Sequence, residues 1–431
     1  MFFNLFKKLN YIKKFPYFIC TPLIYGIGCA SEQISMAAAQ AKRTNKKLLI
    51  FKTYFFRKLL KYKICNNALF EKLIFDDYRI DKKNYIYQLI NFFIQLEFSI
   101  RRFLAIIFKS IFNIDLGEEF RFALLGSLDL YNEKKRNIAY LNLMPVNIVE
   151  AKVDINKKEK EKCKNLFRDY NPKKKKIVCL HVRDHHYYND FHRRSYRNSN
   201  IYNYQGLIEY LIEKNYLVVR LGDKSATKIN FKHKDFVDYP FTEIKSEIMD
   251  LFLIKECFFY VGTPSGPMDT AYMFNKPLLL TNLYCIYPSF PRKSVDRGIF
   301  RKIICKKTGK ILSLYDFAKL NIKYHQTEVY INEYDFKENT NSELVDAIKE
   351  YVKNIEKSQN FKKEFFLDDR QVLFNKFISK RLEEIYNSEV LNNNYFKNDQ
   401  WKENEFIRII KRFKSCKGAY CLSTLKNFNL S

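Results

Sequence analysis

Ile177-Val178-Cys179-Leu180-His181-Val182-Arg183-Asp184, IVCLHVRD, is a short apolar run that stops abruptly in polar residues and continues as HHYYNDFHRRSYRN to Asn198. The apolar residues at 177–180 predict a buried strand, with everything after Leu180 delivered at its carboxyl end. Comparable endings recur downstream. The strand-like run Tyr216–Leu221 leads into Gly222-Asp223, and Cys257–Val261 leads into GTPSGP, Gly262–Pro267. Helical patterns over 204–214 and 244–255 separate these runs, and another through Ala271–Phe274 precedes the strand Pro277–Thr281. Strands alternating with helices at this spacing predict an α/β fold with a parallel, doubly wound sheet. Ligands bind outside the carboxyl ends of such strands. The segments HVRD, RLGD and GTPSG are therefore expected to converge on one cleft.

The chemistry of these ends points to an anion. Arg183, with Arg220, has the planar fork that clamps a diphosphate bidentately. Ser265 reads as a helix N-cap with Pro267 in the first turn, so that the amides near Ser265, Gly266 and Met268 face the cleft and attract phosphate. Gly262 and Gly266 let an oxygen approach the main chain closely. His181, Gly222, Asp223 and Thr263 complete the expected phosphate-side set. A Ser-Gly-Pro helix start alone is usually a simple cap. The recurrence of polar and glycine residues at the ends of consecutive strands favours phosphate.

Composition sets the limits. At 431 residues, with 47% hydrophobic and 17% aromatic residues, the chain can build more than one core, which excludes a disordered polyelectrolyte. Lys and Arg number 76 against 47 Asp and Glu, a net charge of +29 that attracts anions of several kinds. The excess Lys is spread along a chain flooded with Asn, Ile, Phe and Tyr, as an AT-rich coding sequence produces, so nucleic acid is not the expected partner. A nucleic-acid-binding protein nevertheless stands as the rival reading, on the charge and on HHYYNDFHRRSYRN. A sugar- or phosphate-binding protein without catalysis is the second rival. The ten cysteines include no C-x-x-C, and His185, His186 and His192 with Asp184 and Asp190 lack a ligand spacing, so no metal is expected. Cys179 and Cys257 lie inside apolar runs as small core residues, which suits a reducing cytosol.

Before the sheet, MFFNLFKKLNYIKK (Met1–Lys14) mixes aromatics with Lys, compatible with an anionic membrane face and equally with packing on its own domain. Phe15–Ser31 is uncharged, yet Pro16, Pro22, Gly26 and Gly28 argue against a continuous apolar helix there. No uncharged apolar run reaches the roughly 18 residues of a membrane span. Leu23–Tyr25 reads as a strand and Gly26–Gly28 as a turn. A helix opens at Ser31 and Glu32 and ends near Lys42-Arg43, and Leu48–Phe51 is the next strand. Glu32 would lie at the mouth of that loop. Tyr85–Phe112 is a helix apolar on so wide a face that burial is expected. Ile138–Met144 reads as the last strand of the first domain, and Asn171–Lys176 as a linker. The resulting domains are 1–170, acceptor-side and Rossmann-like, 171–330, donor-side and Rossmann-like, and a helical region 331–431 with amphipathic helices at 341–357 and 365–386. Arg292–Lys310 is basic enough to line or rim a site, and Cys416 and Cys421 read as unrelated thiols.

CLHVRD (Cys179–Asp184), SYRN (Ser195–Asn198), RLGD (Arg220–Asp223) and VGTPSGP with its following helix (Val261–Phe274) resemble a family of bacterial glycosyltransferases with a two-Rossmann, GT-B-like fold. His181-Val182-Arg183 is also similar to the His-x-Arg motif by which α1,6-fucosyltransferases hold the diphosphate of GDP-fucose. The resemblance spans about Ile177–Thr281 and is faint over Gly26–Phe51. It implies a cytoplasmic enzyme, at the inner membrane face if the anionic surface is engaged, that moves a hexosyl or fucosyl-type sugar from a nucleotide diphosphate donor to a surface glycan or lipid-linked acceptor. It further implies that Arg183 is a diphosphate ligand, that GTPSG is the nucleotide-sugar phosphate site, and that neither a metal nor a cofactor beyond the donor is needed. Asp184 directly follows Arg183, unlike in the fucosyltransferase motif, so the donor's identity does not transfer. The catalytic base is left among Asp184, His185 or His186, and Glu32 from the first domain.

Overall fold

The computed structural model describes residues 2–24, 26–52, 64–75, 84–114, 116, 152–187, 195–284, 291–313, 316, 332–361, 372–373, 375–377, 380, 384 and 419–421. The chain forms two compact units, one of Met1–Cys163 with Tyr272–Asn275, the other of Lys164–Ala271 with Lys276–Ser431. The division after Cys163 comes earlier than the linker expected at 171–176. That segment is a tight turn within the second unit. Asn171 accepts from the Lys175 amide at 2.8 Å and donates to its carbonyl at 2.9 Å, Lys174 has φ of 50°, and Lys175 pairs with Asp235 at 2.8 Å.

The first unit runs α1 (Phe2–Tyr11), β1 (Tyr17–Cys20), α2 (Ile27–Arg43), β2 (Lys47–Ile50), α3 (Ala68–Glu71), β3 (Leu73–Phe75), α4 (Tyr85–Phe112) and β4 (Val153–Ile155), and α5 (Lys157–Phe167) begins in it. Strands β1 and β2 pair in parallel around α2, the β-α-β unit expected from the sequence, and β3 pairs antiparallel with β4. Alternate β1 residues face opposite ways, as a pleat requires. Phe18 and Cys20 meet Ala37, Ala38 and Ala41 of α2, while Ile19 joins Phe6, Leu49, Phe51, Ile90 and Ile94. The stretch at 2–11 therefore packs on its own unit through Phe6, and Asn10 closes the β1 edge by exchanging hydrogen bonds with the backbone of Ile19 at 2.7 and 2.9 Å.

Two expectations need correction here. The first strand lies at Tyr17–Cys20, and α2 starts at Ile27, ahead of Ser31. The Leu23 amide is taken by the side chain of Gln33 at 2.8 Å, not by a sheet neighbour. Burial of Gly28, Ala30 and the alanine run outweighs the low helix propensity of glycine. The second correction concerns α4. Asn84 caps it on the amides of Ile86 and Tyr87 at 2.9 and 3.4 Å, and it buries Ile90, Ile94, Phe98 and Ala105. That i, i+4 stripe is one narrow face, so Tyr85, Phe92, Phe103, Ile111 and Phe112 are left exposed. The strand expected at Ile138–Met144, and the residues Asp190, His192 and Cys416, lie outside the described residues.

The second unit is built on β5 (Ile177–His181), α6 (Gln205–Glu213), β6 (Leu217–Arg220), β7 (Phe236–Asp238), α7 (Glu247–Glu256), β8 (Phe259–Gly262), α8 (Gly266–Met273), β9 (Leu278–Leu283) and β10 (Arg297–Phe300). The strand pair β11 (Lys302–Cys305) and β12 (Tyr334–Lys337), the helix α9 (Asn341–Phe361) and β13 (Ala419–Tyr420) follow. Among the described residues, seven strands form one parallel sheet in the order β13-β10-β9-β8-β5-β6-β7. The chain winds outward from β5 through β6 to β7, then returns to β8 on the other side and winds the opposite way. The α/β fold with a doubly wound parallel sheet is thus as the alternation predicts, and its order reverses between β5 and β8. The fully buried Val178, Leu180, Val218, Val261 and Leu279 of four strands share one core with Leu207 and Leu211 of α6. Leu344, Ala347, Ile348, Tyr351 and Val352 of α9 belong to that same core. The region beyond 331, expected as a helical appendage, is therefore part of this unit, and of 365–386 only scattered residues are described.

Candidate functional site

The reversal of strand order brings His181 beside Gly262. They are register partners at the ends of β5 and β8, and Leu180 pairs with Arg220 at the end of β6. The HVRD, RLGD and GTPSG ends are consequently neighbours along one edge of the sheet. Thr263 fastens the first to the third: its amide donates to the His181 carbonyl at 3.1 Å, and its buried hydroxyl accepts the Arg183 amide at 2.9 Å. A Cβ on Gly262 would lie 2.6 Å from the His181 carbonyl oxygen. Glycine is required there by the approach of β5, so its close neighbour is protein and not the ligand oxygen expected from the sequence.

Arg183 is 7% exposed, and its Nη1 donates to Oδ1 of Asn198. The Arg183 carbonyl accepts the Ser199 amide at 2.8 Å. Segment 196–199 is in turn held from below by Arg301, itself buried in β10–β11, which donates to the carbonyls of Tyr196 and Asn198 at 2.6 and 2.9 Å and to Ser199 Oγ at 2.9 Å. Burial lowers the Arg301 pKa to about 10, which leaves it charged at neutral pH. Arg197 donates to the Pro264 carbonyl at 3.1 Å, linking the same segment to the GTPSG loop. Sequence reasoning missed Arg301 and Thr227 as site residues. The only sign of the former was the basic run Arg292–Lys310, whose arginines turn inward: Arg292 donates to Asp269 at 3.2 Å, and Arg297 and Arg301 are buried.

Arg220 is turned to a carboxylate of its own sheet. It is 1% exposed, and its Nη1 donates to both carboxylate oxygens of Asp238 at 3.0 and 3.3 Å across the β6–β7 pair. Burial raises the Asp238 carboxyl in spite of that guanidinium. Gly222 packs against Pro240, whose Cγ would be 3.1 Å from an added Cβ. Asp223 shapes a turn, accepting from the Ser225 amide and hydroxyl at 2.8 and 2.5 Å. That turn delivers Thr227 to Asp184, whose Oδ2 accepts the Thr227 amide at 3.0 Å while Oδ1 accepts the His186 amide at 3.2 Å. Burial works to raise the Asp184 carboxyl, but the hydrogen bonds from Thr227 and His186 outweigh it and hold the pKa below the usual value.

Ser265 immediately precedes α8, as the sequence suggests, but its hydroxyl is used within the site. Oγ donates to the Thr263 carbonyl at 3.0 Å and lies 3.0 Å from His181 Nδ1. Of the amides expected to face the cleft, that of Met268 donates to the Ser265 carbonyl at 3.1 Å, leaving Gly266 as the first-turn donor. Burial pulls the His181 pKa down to about 4, Asp184 opposing, so its imidazole is neutral at pH 7. His185 is partly buried and its ring lies against that of His186, centroids 3.9 Å apart and planes tilted by 31°. Glu32 is a partly buried residue in the second turn of α2 in the first unit, not in the preceding loop. Among the described residues no group of three His, Cys, Asp or Glu side chains is close enough to hold a metal ion.

No protein-family model matches the chain, and no curated protein matches it. Solved structures give faint likenesses. E. coli ADP-heptose LPS heptosyltransferase II aligns at 16% identity and a TM-score of 0.32, over 61% of this chain and 83% of its own. A glycosyl transferase of family 9 from Veillonella parvula aligns at 10% identity and 0.36, over 64% and 82%. The dodecameric iron-containing heptosyltransferase TibC, solved with ADP-D-beta-D-heptose, aligns at 16% and 0.25, over 43% and 47%. At such scores these likenesses carry no weight for activity.

Proposed function

We propose that the second unit is the donor half of a GT-B-like glycosyltransferase, with the diphosphate of a nucleotide-sugar bound at the crevice between β5 and β8. The observation that carries this reading is Arg183 at the carboxyl end of β5, its guanidinium held by Asn198 and its backbone amide by Thr263, next to the start of α8 and at the point where the strand order reverses. Gly266 and Arg183 would meet the phosphate oxygens. Arg220 is left out of the binding set, since its charge is spent on Asp238. A glycan or lipid-linked acceptor is the partner the proposed reaction requires, and the apolar face of α4 together with the positive net charge suits an anionic membrane surface. A cytoplasmic setting with the donor in solution follows from that chemistry.

His185 is the better candidate for the base that takes the acceptor's proton, because Asp184 already accepts from Thr227 and His186 and is held below the usual carboxylate range. Glu32 is the first unit's candidate for the same task. The occupied state of Asp184 also favours a second reading, a nucleotide-sugar-binding protein without catalysis. Calorimetric titration of UDP, GDP, ADP and their sugar conjugates into wild type and Arg183→Ala tests the donor site. One of them is expected to bind, with Arg183→Ala weakening it by roughly tenfold to hundredfold. The absence of nucleotide binding, or binding undiminished by the substitution, refutes the site. Binding without transfer to any acceptor supports the second reading, and tight, steeply salt-dependent binding to RNA or DNA would support a nucleic-acid role instead.

A further inference from the structure

Two contacts of Ser265 Oγ bear on where the His181 ring proton sits. The Thr263 carbonyl has no proton to give, so at the 3.0 Å contact Ser265 Oγ is the donor and its single hydroxyl proton is used. With that proton on the Thr263 carbonyl, the imidazole is the donor at the 3.0 Å contact between Ser265 Oγ and His181 Nδ1, and the ring proton sits on Nδ1. A neutral imidazole has one N–H, so Nε2 carries a lone pair. His181 is partly exposed, and among the described residues its ring makes no hydrogen bond besides the one to Ser265. The groups that act on the ring electrostatically are Asp184, Arg183, Arg220 and Lys245, and burial keeps it neutral well below pH 7.

From this geometry we infer that His181 offers an unprotonated Nε2 as a hydrogen-bond acceptor, and so reads a hydroxyl of the bound nucleotide-sugar, on its ribose or its sugar, and not a phosphate oxygen. The ligand half rests on the proposed donor site. A diphosphate at neutral pH bears only acceptor oxygens, and two acceptors facing each other leave both unsatisfied. Phosphate binding then belongs to Arg183 and the start of α8, while His181 supplies discrimination between ligands that have the hydroxyl and ligands that lack it. A site built to pair with a hydroxyl rejects the analogue without it, because an acceptor covered by the bound ligand is then left unmatched. His181 is also too weak a base to deprotonate an acceptor, so it is a specificity residue and not the general base.

Two measurements test this. In protein labelled with nitrogen-15 histidine, long-range proton–nitrogen correlation at pH 7 should show the His181 signals, assigned by their loss in His181→Gln, in the Nδ1–H form with Nε2 unprotonated and no titration above about pH 5. An imidazolium, or the Nε2–H form, overturns the inference whether or not any nucleotide binds. Calorimetry with the nucleotide-sugar that binds wild type should show His181→Phe weakening it roughly tenfold. His181→Gln, whose Oε1 stands in for Nε2, should recover most of that loss. Wild-type affinity should be flat from pH 6 to 8. The 2′-deoxyribose and deoxysugar conjugates of the same nucleotide identify the group: whichever loses its sensitivity to His181→Phe lacks the hydroxyl that is read. Affinity that rises on acidification in wild type and not in His181→Phe means a cationic histidine on phosphate, and overturns the inference. If no nucleotide binds wild type, the donor reading fails and the ligand half falls with it, while the tautomer result is unaffected.

Discussion

Asn198 and Arg301 decide how Arg183 is held, and neither needs to touch a ligand to matter. Asn198→Ala removes one hydrogen bond from the Arg183 guanidinium, and nucleotide affinity is expected to fall several-fold with little change in thermal stability. Arg301→Met removes three hydrogen bonds from segment 196–199 and should weaken binding through Arg183. In an Arg183→Ala background the same change should cost no further affinity, and additive losses in the double-mutant cycle would show a general structural role instead. His181 makes a pH prediction. Its folded pKa, about 4, lies below the ordinary 6.5, so the unfolded chain takes up the proton first. Stability on this account is full above pH 6.5 and falls as pH drops toward 4, by an amount on the order of 1–3 kcal/mol. Chemical denaturation of wild type and His181→Phe at pH 7 and pH 5 checks it, the variant losing less on acidification. The residue types of the site were legible in the sequence because polar residues after an apolar run are conspicuous. Their pairings were not, since Arg220 and Arg183 look alike until Asp238 is seen to lie across from only one of them.

Elements were legible where they carried a period or a run. The buried strands β5, β6, β8 and β9 announced themselves as apolar runs because both faces of a parallel sheet are covered. Strands β7 and β13, of three and two residues, are too short to carry a pattern and owe their conformation to the sheet edges they extend. α2 was misplaced at its start because glycine signals a turn in isolation, whereas burial decides its conformation here. Two glycines test how tightly the elements approach. Gly206→Ala would bring a Cβ within 2.7 Å of Asn341 Oδ1 and 2.9 Å of Val345 Cγ2, wedging α6 away from α9. Gly262→Ala meets the rigid backbone carbonyl of His181 at 2.6 Å. Both are expected to destabilise by about 1–3 kcal/mol, with Gly262→Ala the worse because backbone yields less than side chain. Urea denaturation ranks them.

For the whole molecule, the division into donor and acceptor halves was read at a Lys-rich turn, and the physical boundary is earlier because that turn is tied into the second unit by Asn171 and Lys175. The region after 331 looked separable because charged amphipathic helices resemble appendages. Leu344, Ile348 and Tyr351 show why it is not: they are fully buried in the sheet's own core. A chain ended after residue 331 should therefore fail to fold its second unit and be recovered as insoluble or protease-sensitive protein, whereas an independent appendage could be lost with the sheet still melting cooperatively. The position of β13 at the edge of the sheet has a further consequence during synthesis. It pairs with β10 yet is synthesised roughly 120 residues after it, a delay on the order of ten seconds at ~5–20 residues per second. Until then the β10 edge is an unpaired row of amides and carbonyls. The nascent chain thus has to be shielded from strand-to-strand association with its neighbours on the same message, and its yield should depend more on translation speed and chaperone supply than on the stability of the finished fold.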